Sequence, residues 1–70
     1  MVELETFFDA RAKKLRVRAA NGTHAGLLCQ FPSHLRERAG QRFRASVAVV
    51  KSSHARQPHL VADFSTITAT

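Results

Sequence analysis

The sequence predicts a small, mainly β domain: a β-barrel of four to five short strands with one short helix around residues 33–39. Three observations carry that prediction. Apolar residues recur with a period of two in two separate stretches, Lys14–Ala19 and Gln41–Lys51, the mark of a strand with one buried and one wet face. Turn-forming residues, Asn21-Gly22, Gly40 and Pro58, punctuate these stretches at short intervals. The 70 residues leave room for one domain only, spanning 1–70, and a chain this short buries only about 60% of the surface it exposes when unfolded.

Val2–Ala10 comes first. Val2, Leu4, Thr6 and Phe8 alternate with Glu3, Glu5 and Phe7, which favours a strand with Leu4 and Phe8 inside. A helical stripe through Leu4, Phe7, Phe8 and Arg11 is the open alternative. In Lys14–Ala19 the alternation is the cleanest in the chain: Leu15, Val17 and Ala19 point one way, and Lys14, Arg16 and Arg18 the other. Asn21-Gly22 then signals a tight hairpin, because both residues tolerate positive φ. The return strand is expected from His24 to Phe31, with a bulged three-residue turn pairing Leu15 with Leu27. That register puts Leu27, Cys29 and Phe31 on the buried face.

Pro32 ends this strand. Ser33 is a good N-cap, His34–Ala39 can form one or two helical turns, Leu35 would anchor them, and Gly40 would close them. Gln41–Lys51 is the central strand, with Phe43, Ala45, Val47 and Val49 inward and Arg42 and Arg44 outward. Ser52–Pro58 is a polar loop. His59–Thr68, rich in β-branched residues, is the last strand, with Leu60, Ala62 and Phe64 on its inner side.

Charge is the strongest global fact. Eleven Lys and Arg oppose five Asp and Glu, a net +6, and the isoelectric point is near 11.2. Eight of the cations are arginine, whose planar fork suits phosphate and stacks on bases. Such an excess points to a polyanionic partner, nucleic acid first. Arg16, Arg18, Arg42 and Arg44 all fall on predicted wet strand faces, and Lys14, Lys51 and Arg56 extend them. Were those strands neighbours, phosphates would meet a rigid guanidinium surface.

Other chemistries find little purchase. The histidines (His24, His34, His54, His59) lie in separate elements, without helical i, i+4 spacing or a Cys-x-x-Cys companion, so no metal site is expected. No cofactor or catalytic residue is expected either, because Asp9 and Asp63 are isolated and the serines sit in caps or loops. Cys29, the single cysteine, reads as a small buried hydrophobe. Of five Phe, only Phe7 is left outside the expected core, which makes it the one candidate for base stacking. Contact through the nucleic-acid backbone, or with a shaped duplex, therefore fits better than an aromatic platform. No run approaches the ~18 apolar residues of a membrane span, and the acidic start (Glu3, Glu5) is unlike a signal peptide, so a cytoplasmic setting is expected.

At Gly26-Leu27-Leu28-Cys29-Gln30-Phe31 the chain resembles the Gly-x-Leu-x-x-Phe element of Sm-like proteins, small barrels that bind RNA as rings. Asn21-Gly22 and Phe64-Ser65-Thr66-Ile67 are similar to that family too. Pro32 stands where the family usually has Asp, and the segment Ser33–Gly40 interrupts what should be continuous sheet. A small OB-like barrel, with a helix between its third and fourth strands, is also similar in outline. Both resemblances imply a small barrel of a kind used for nucleic acid. The expectation is thus a non-enzymatic binder of DNA or RNA, with a homo-oligomer as one of its forms. Its rival is a protein-interaction module whose basic face or edge strand takes an acidic partner or its own copy.

Overall fold

The computed structural model describes residues 1–70. It is a mainly β domain with almost no helix: β1 (Val2–Asp9), β2 (Lys14–Ala19), β3 (Leu28–Gln30), β4 (Arg42–Ala45), β5 (Val47–Val50), β6 (His59–Ala62) and β7 (Thr68–Ala69). They form one mixed sheet in the order β5-β6-β3-β2-β1-β4-β7. Every pairing is antiparallel except β3 with β6, which is parallel. As paired, the ladder is open, with β5 and β7 at its ends. No helix is long and apolar enough to cross a membrane.

The inward residues meet in a core of Leu4, Val17, Ala19, Cys29, Phe31, Phe43, Ala45, Leu60 and Ala62. Phe31 and Phe43 tilt against each other with ring centroids 4.9 Å apart. Val2–Asp9 is a strand, as its alternation suggests, and Thr6 is the one buried polar residue on it.

Several expectations need correction. The predicted central strand is two strands, because the chain bends at Ser46: its amide donates to Thr66 Oγ1 (2.9 Å) while its carbonyl accepts from the Asp63 amide (2.8 Å). β4 thus lies between β1 and β7 near one end of the ladder and β5 at the other end, the two joined by a single residue. With the short β7 added, the strands number seven rather than four or five.

No tight hairpin forms at Asn21-Gly22. Two successive turns, Gly22–Ala25 and His24–Leu27, widen the connection, and Gly22 and Gly26 take the positive φ values they need (79° and 87°). The return strand is therefore only Leu28–Gln30, and Val17 pairs with Cys29, four residues beyond the Ala25 that the bulged register would set opposite it. The buried face was read correctly, since Cys29 and Phe31 are inside and Leu27 packs against the core.

The helix around 33–39 shrinks to one 3₁₀ turn, Ser33–Leu35, with no side-chain cap. Gly40 has positive φ, yet closes no helix; its amide donates to the Thr6 carbonyl (2.9 Å). Leu35 does pack against the core. The last predicted strand stops at Ala62, where Asp63 Oδ1 accepts from the Ser65 amide (3.1 Å) and hydroxyl (2.8 Å). That capped turn turns Phe64 outward, 54% exposed, instead of into the core. Phe8 is also exposed, at 58%, because it lies near the end of β1 beyond the last buried layer.

Candidate nucleic-acid interface

Strand order decides what the arginines can do. β1 lies between β2 and β4, so Glu5 stands opposite both Arg18 and Arg42, and Glu3 opposite Arg44. Arg16, Arg18, Arg42 and Arg44 therefore do share one outer face, with a row of acids through its middle. Arg18 Nε lies 2.8 Å from Glu5 Oε1, and Arg42 is 3.4 Å from Glu5 and 4.0 Å from Glu3. Arg44 is 3.5 Å from Glu3, and Arg16 is 3.5 Å from Asp9. Four cations face three carboxylates, leaving this face one positive charge. Phe7 sits beneath the Arg18 guanidinium, 4.3 Å from ring centroid to Cζ, so it stacks on the protein's own cation.

The unpaired charge lies elsewhere. Arg11, Lys13 and Lys14 cluster at the β1–β2 turn, Arg36 and Arg38 follow the 3₁₀ turn, and Lys51 and Arg56 belong to the β5–β6 loop. None of the seven forms an ion pair. With Glu37 and Asp63 also unpaired, the rest of the chain carries 7 − 2 = +5, which with the +1 of the sheet face gives the net +6.

Part of that charge converges on a groove of about 470 Å³ between the β2–β3 surface and the β5–β6 loop. Lys14, Arg16 and Arg36 supply its cations, Leu28, Phe31 and Pro58 its apolar surface, and Gln30, Gln57 and His59 its hydrogen-bonding groups. No Asp or Glu lines it. Arg36 is held in place by its Nη1, which donates to the Leu15 carbonyl (3.0 Å). Lys14 is set by the turn before it: Asp9 Oδ1 accepts from the amides of Arg11 (3.0 Å) and Ala12 (3.3 Å), and Lys13 takes a positive φ of 54°. The Ala12 amide foremost, with the Arg11 amide and the Arg16 guanidinium, holds the Asp9 carboxyl below its ordinary range, although burial works the other way.

Of the predicted site residues, Lys14 and Arg16 therefore line the groove, and Arg56 sits between two residues, Ala55 and Gln57, that do. Arg18, Arg42 and Arg44 lie on the charge-matched sheet beside it. Lys51 stands at the far end of the loop, outside the lining. Arg36 was missed by the strand-face reading because it belongs to no strand. No three His, Cys, Asp or Glu side chains come together.

Cys29 belongs to the groove wall yet is buried. Burial pushes its thiol from 9.0 up to about 11, against an opposing pull from the Ala62 amide. At neutral pH the thiolate fraction is thus roughly 100-fold below that of an unperturbed thiol. Iodoacetamide labelling of the folded protein is expected to be slower by a similar factor than in denaturant; equal rates would refute the burial. Since the folded state favours the neutral thiol, this group leaves stability unchanged below pH 9 and lowers it as pH rises from 9 towards 11.

Comparison with known protein families, curated proteins and solved structures finds no match for this chain.

Proposed function

We propose that this chain is a small OB-like barrel that binds nucleic acid in the cytoplasm without enzymatic activity, using the acid-free groove between β2–β3 and the β5–β6 loop. The connectivity supports the fold reading. A strand pair leads into a third strand, a short turn follows, and the long bent strand β4–β5 touches β1 with one half and β6 with the other. The parallel β3–β6 pairing, with β5 joined to β4 through Ser46, supports such a barrel-like path of the chain. In OB-type barrels the face of the second and third strands, with its flanking loops, is the surface that takes oligonucleotides.

One observation carries the functional reading: Lys14 and Arg36, neither of them ion-paired, converge with Arg16 on a groove that no carboxylate lines. Phosphates entering it displace only counterions at Lys14 and Arg36, and at Arg16 they compete with a partly exposed ion pair worth about 0–1 kcal/mol. The arginine row across β1 is a second, weaker phosphate surface, because Glu3 and Glu5 already occupy its forks.

The test is titration of a labelled oligonucleotide at several salt concentrations. Lys14→Gln with Arg36→Gln is expected to lower affinity and to reduce the log–log salt slope by about 1.4–1.8, the equivalent of two phosphate contacts. Arg42→Gln with Arg44→Gln is expected to change that slope by less than about one. A larger effect from the second pair would move the interface onto the strand face. Displacement of the oligonucleotide by polyglutamate at equal charge would favour an acidic protein partner instead.

A further inference from the structure

We infer that β5 is a self-pairing edge through which two copies of this chain associate around a two-fold axis. The strand has β6 on one side and nothing on the other. The Ser46 carbonyl accepts from the Asp63 amide on the β6 side, and residues alternate, so the backbone groups of Ala48 and Val50 face β6. Those of Val47 and Val49 face the open side. The side chains there are apolar and wet, Val49 at 44% and Val50 at 37% exposure. This edge carries none of the usual guards, having no proline, bulge or charge between Val47 and Val50.

The occupant follows from charge and from the space available. On a chain of net +6, two copies repel except where they meet on an uncharged surface, and β5 is the longest uncharged open edge. An acidic peptide laid there would find only Lys51 to pair with. A second β5 offers the same backbone pattern and the same valines, which is what an isologous contact requires.

Space also selects the register. β1 reaches back to Val2, opposite Ala45, so the open side begins near Ser46. A two-fold axis at Ala48 would drive the second copy's strand end into Met1 and Val2. An axis at Val49 avoids this: Val49 meets its own copy, Ala48 meets Val50, and the second chain turns away after Lys51. Only 11 of 70 residues are buried in the single chain, and no disulfide or metal supplements them, so burying these valines stabilises a domain with little core. An edge this short gives a weak, concentration-dependent dimer rather than an obligate one.

The proposal stands apart from the groove and is tested without nucleic acid. Sedimentation velocity of the wild-type chain over about a hundredfold range of concentration is expected to show the mass moving from one chain towards two. Val49→Lys is expected to remain one chain throughout, with an unchanged circular dichroism spectrum. Val49→Cys places two thiols on the axis with Cα atoms about 5.5 Å apart, within disulfide reach. Under mild oxidation it should form covalent dimer at least about tenfold faster than Ser53→Cys in the exposed loop, while buried Cys29 stays out of the reaction. A wild-type chain that stays single at every concentration overturns the proposal, as does cross-linking of Val49→Cys no faster than the loop control.

Discussion

Thr6→Val is expected to destabilise the domain by about 2–4 kcal/mol, a large part of the ~5 kcal/mol typical of a chain this size. Thr6 is 2% exposed, and its hydroxyl has two obligations. It donates to the Arg38 carbonyl (2.6 Å) and accepts from the Gln41 amide (2.8 Å). The Thr6 backbone adds bonds to the Gln41 carbonyl and from the Gly40 amide. Gln41 then folds its side-chain oxygen back onto the amides of Glu37 and Arg38. One hydroxyl thus pins the whole segment between the 3₁₀ turn and β4. Valine keeps the shape and strands a donor and an acceptor. Thermal unfolding should show a midpoint lower by 10 °C or more, at about 4–8 °C per kcal/mol for a domain of this length. Thr6→Ser, which keeps both bonds, should lose only the methyl contribution of about 1 kcal/mol. Equal losses for the two variants would mean that packing, not hydrogen bonding, makes Thr6 matter.

Glu3→Gln combined with Glu5→Gln is expected to raise affinity for any polyanion by about 10- to 100-fold at low salt, with a salt slope steeper by about two units. Glu5 bridges Arg18 and Arg42, and Glu3 bridges Arg42 and Arg44, so the two acids hold three guanidinium groups. Amides of the same size leave those groups in place and unpaired, and Phe7 still supports Arg18 from below. Net charge rises from +6 to +8 by removal of two carboxylates. The ion pairs are partly exposed, so their loss should cost no more than about 1 kcal/mol each. A binding isotherm unchanged in slope would show that phosphates never reach the strand face, and would leave the groove as the sole contact surface.

What the sequence disclosed was local, and what it withheld depended on neighbours. Lys14–Ala19 was legible to the residue, because three apolar and three polar side chains in strict alternation admit one pleat. The outward arginines of β2 and β4 were legible for the same reason. That Glu3 and Glu5 would stand between them was not, since strand order is fixed by pairing across 13 residues or more, as between Glu5 and Arg18. The groove needs four separate stretches of chain, β2, the segment through β3, Arg36 and the end of the β5–β6 loop, and could not be seen from any one of them. Phe64 was misplaced because its β-branched surroundings outvoted a short-range signal that was present, an Asp followed two residues later by a Ser whose amide it caps. The break at Ser46 left no mark in the alternation, because the residues on either side continue its phase.

The single-residue joint at Ser46 bears on how this chain can change length. β4 is held in step with β1, and β5 with β6, and nothing between them can absorb an added residue. An insertion there would turn either Phe43 and Ala45 or Val47 to the opposite side of the pleat. The segment from Lys51 to Pro58, which is bound into no strand, has no such restriction. Descendants of this sequence should therefore grow or shrink beside the groove and keep a constant count of residues across the bend.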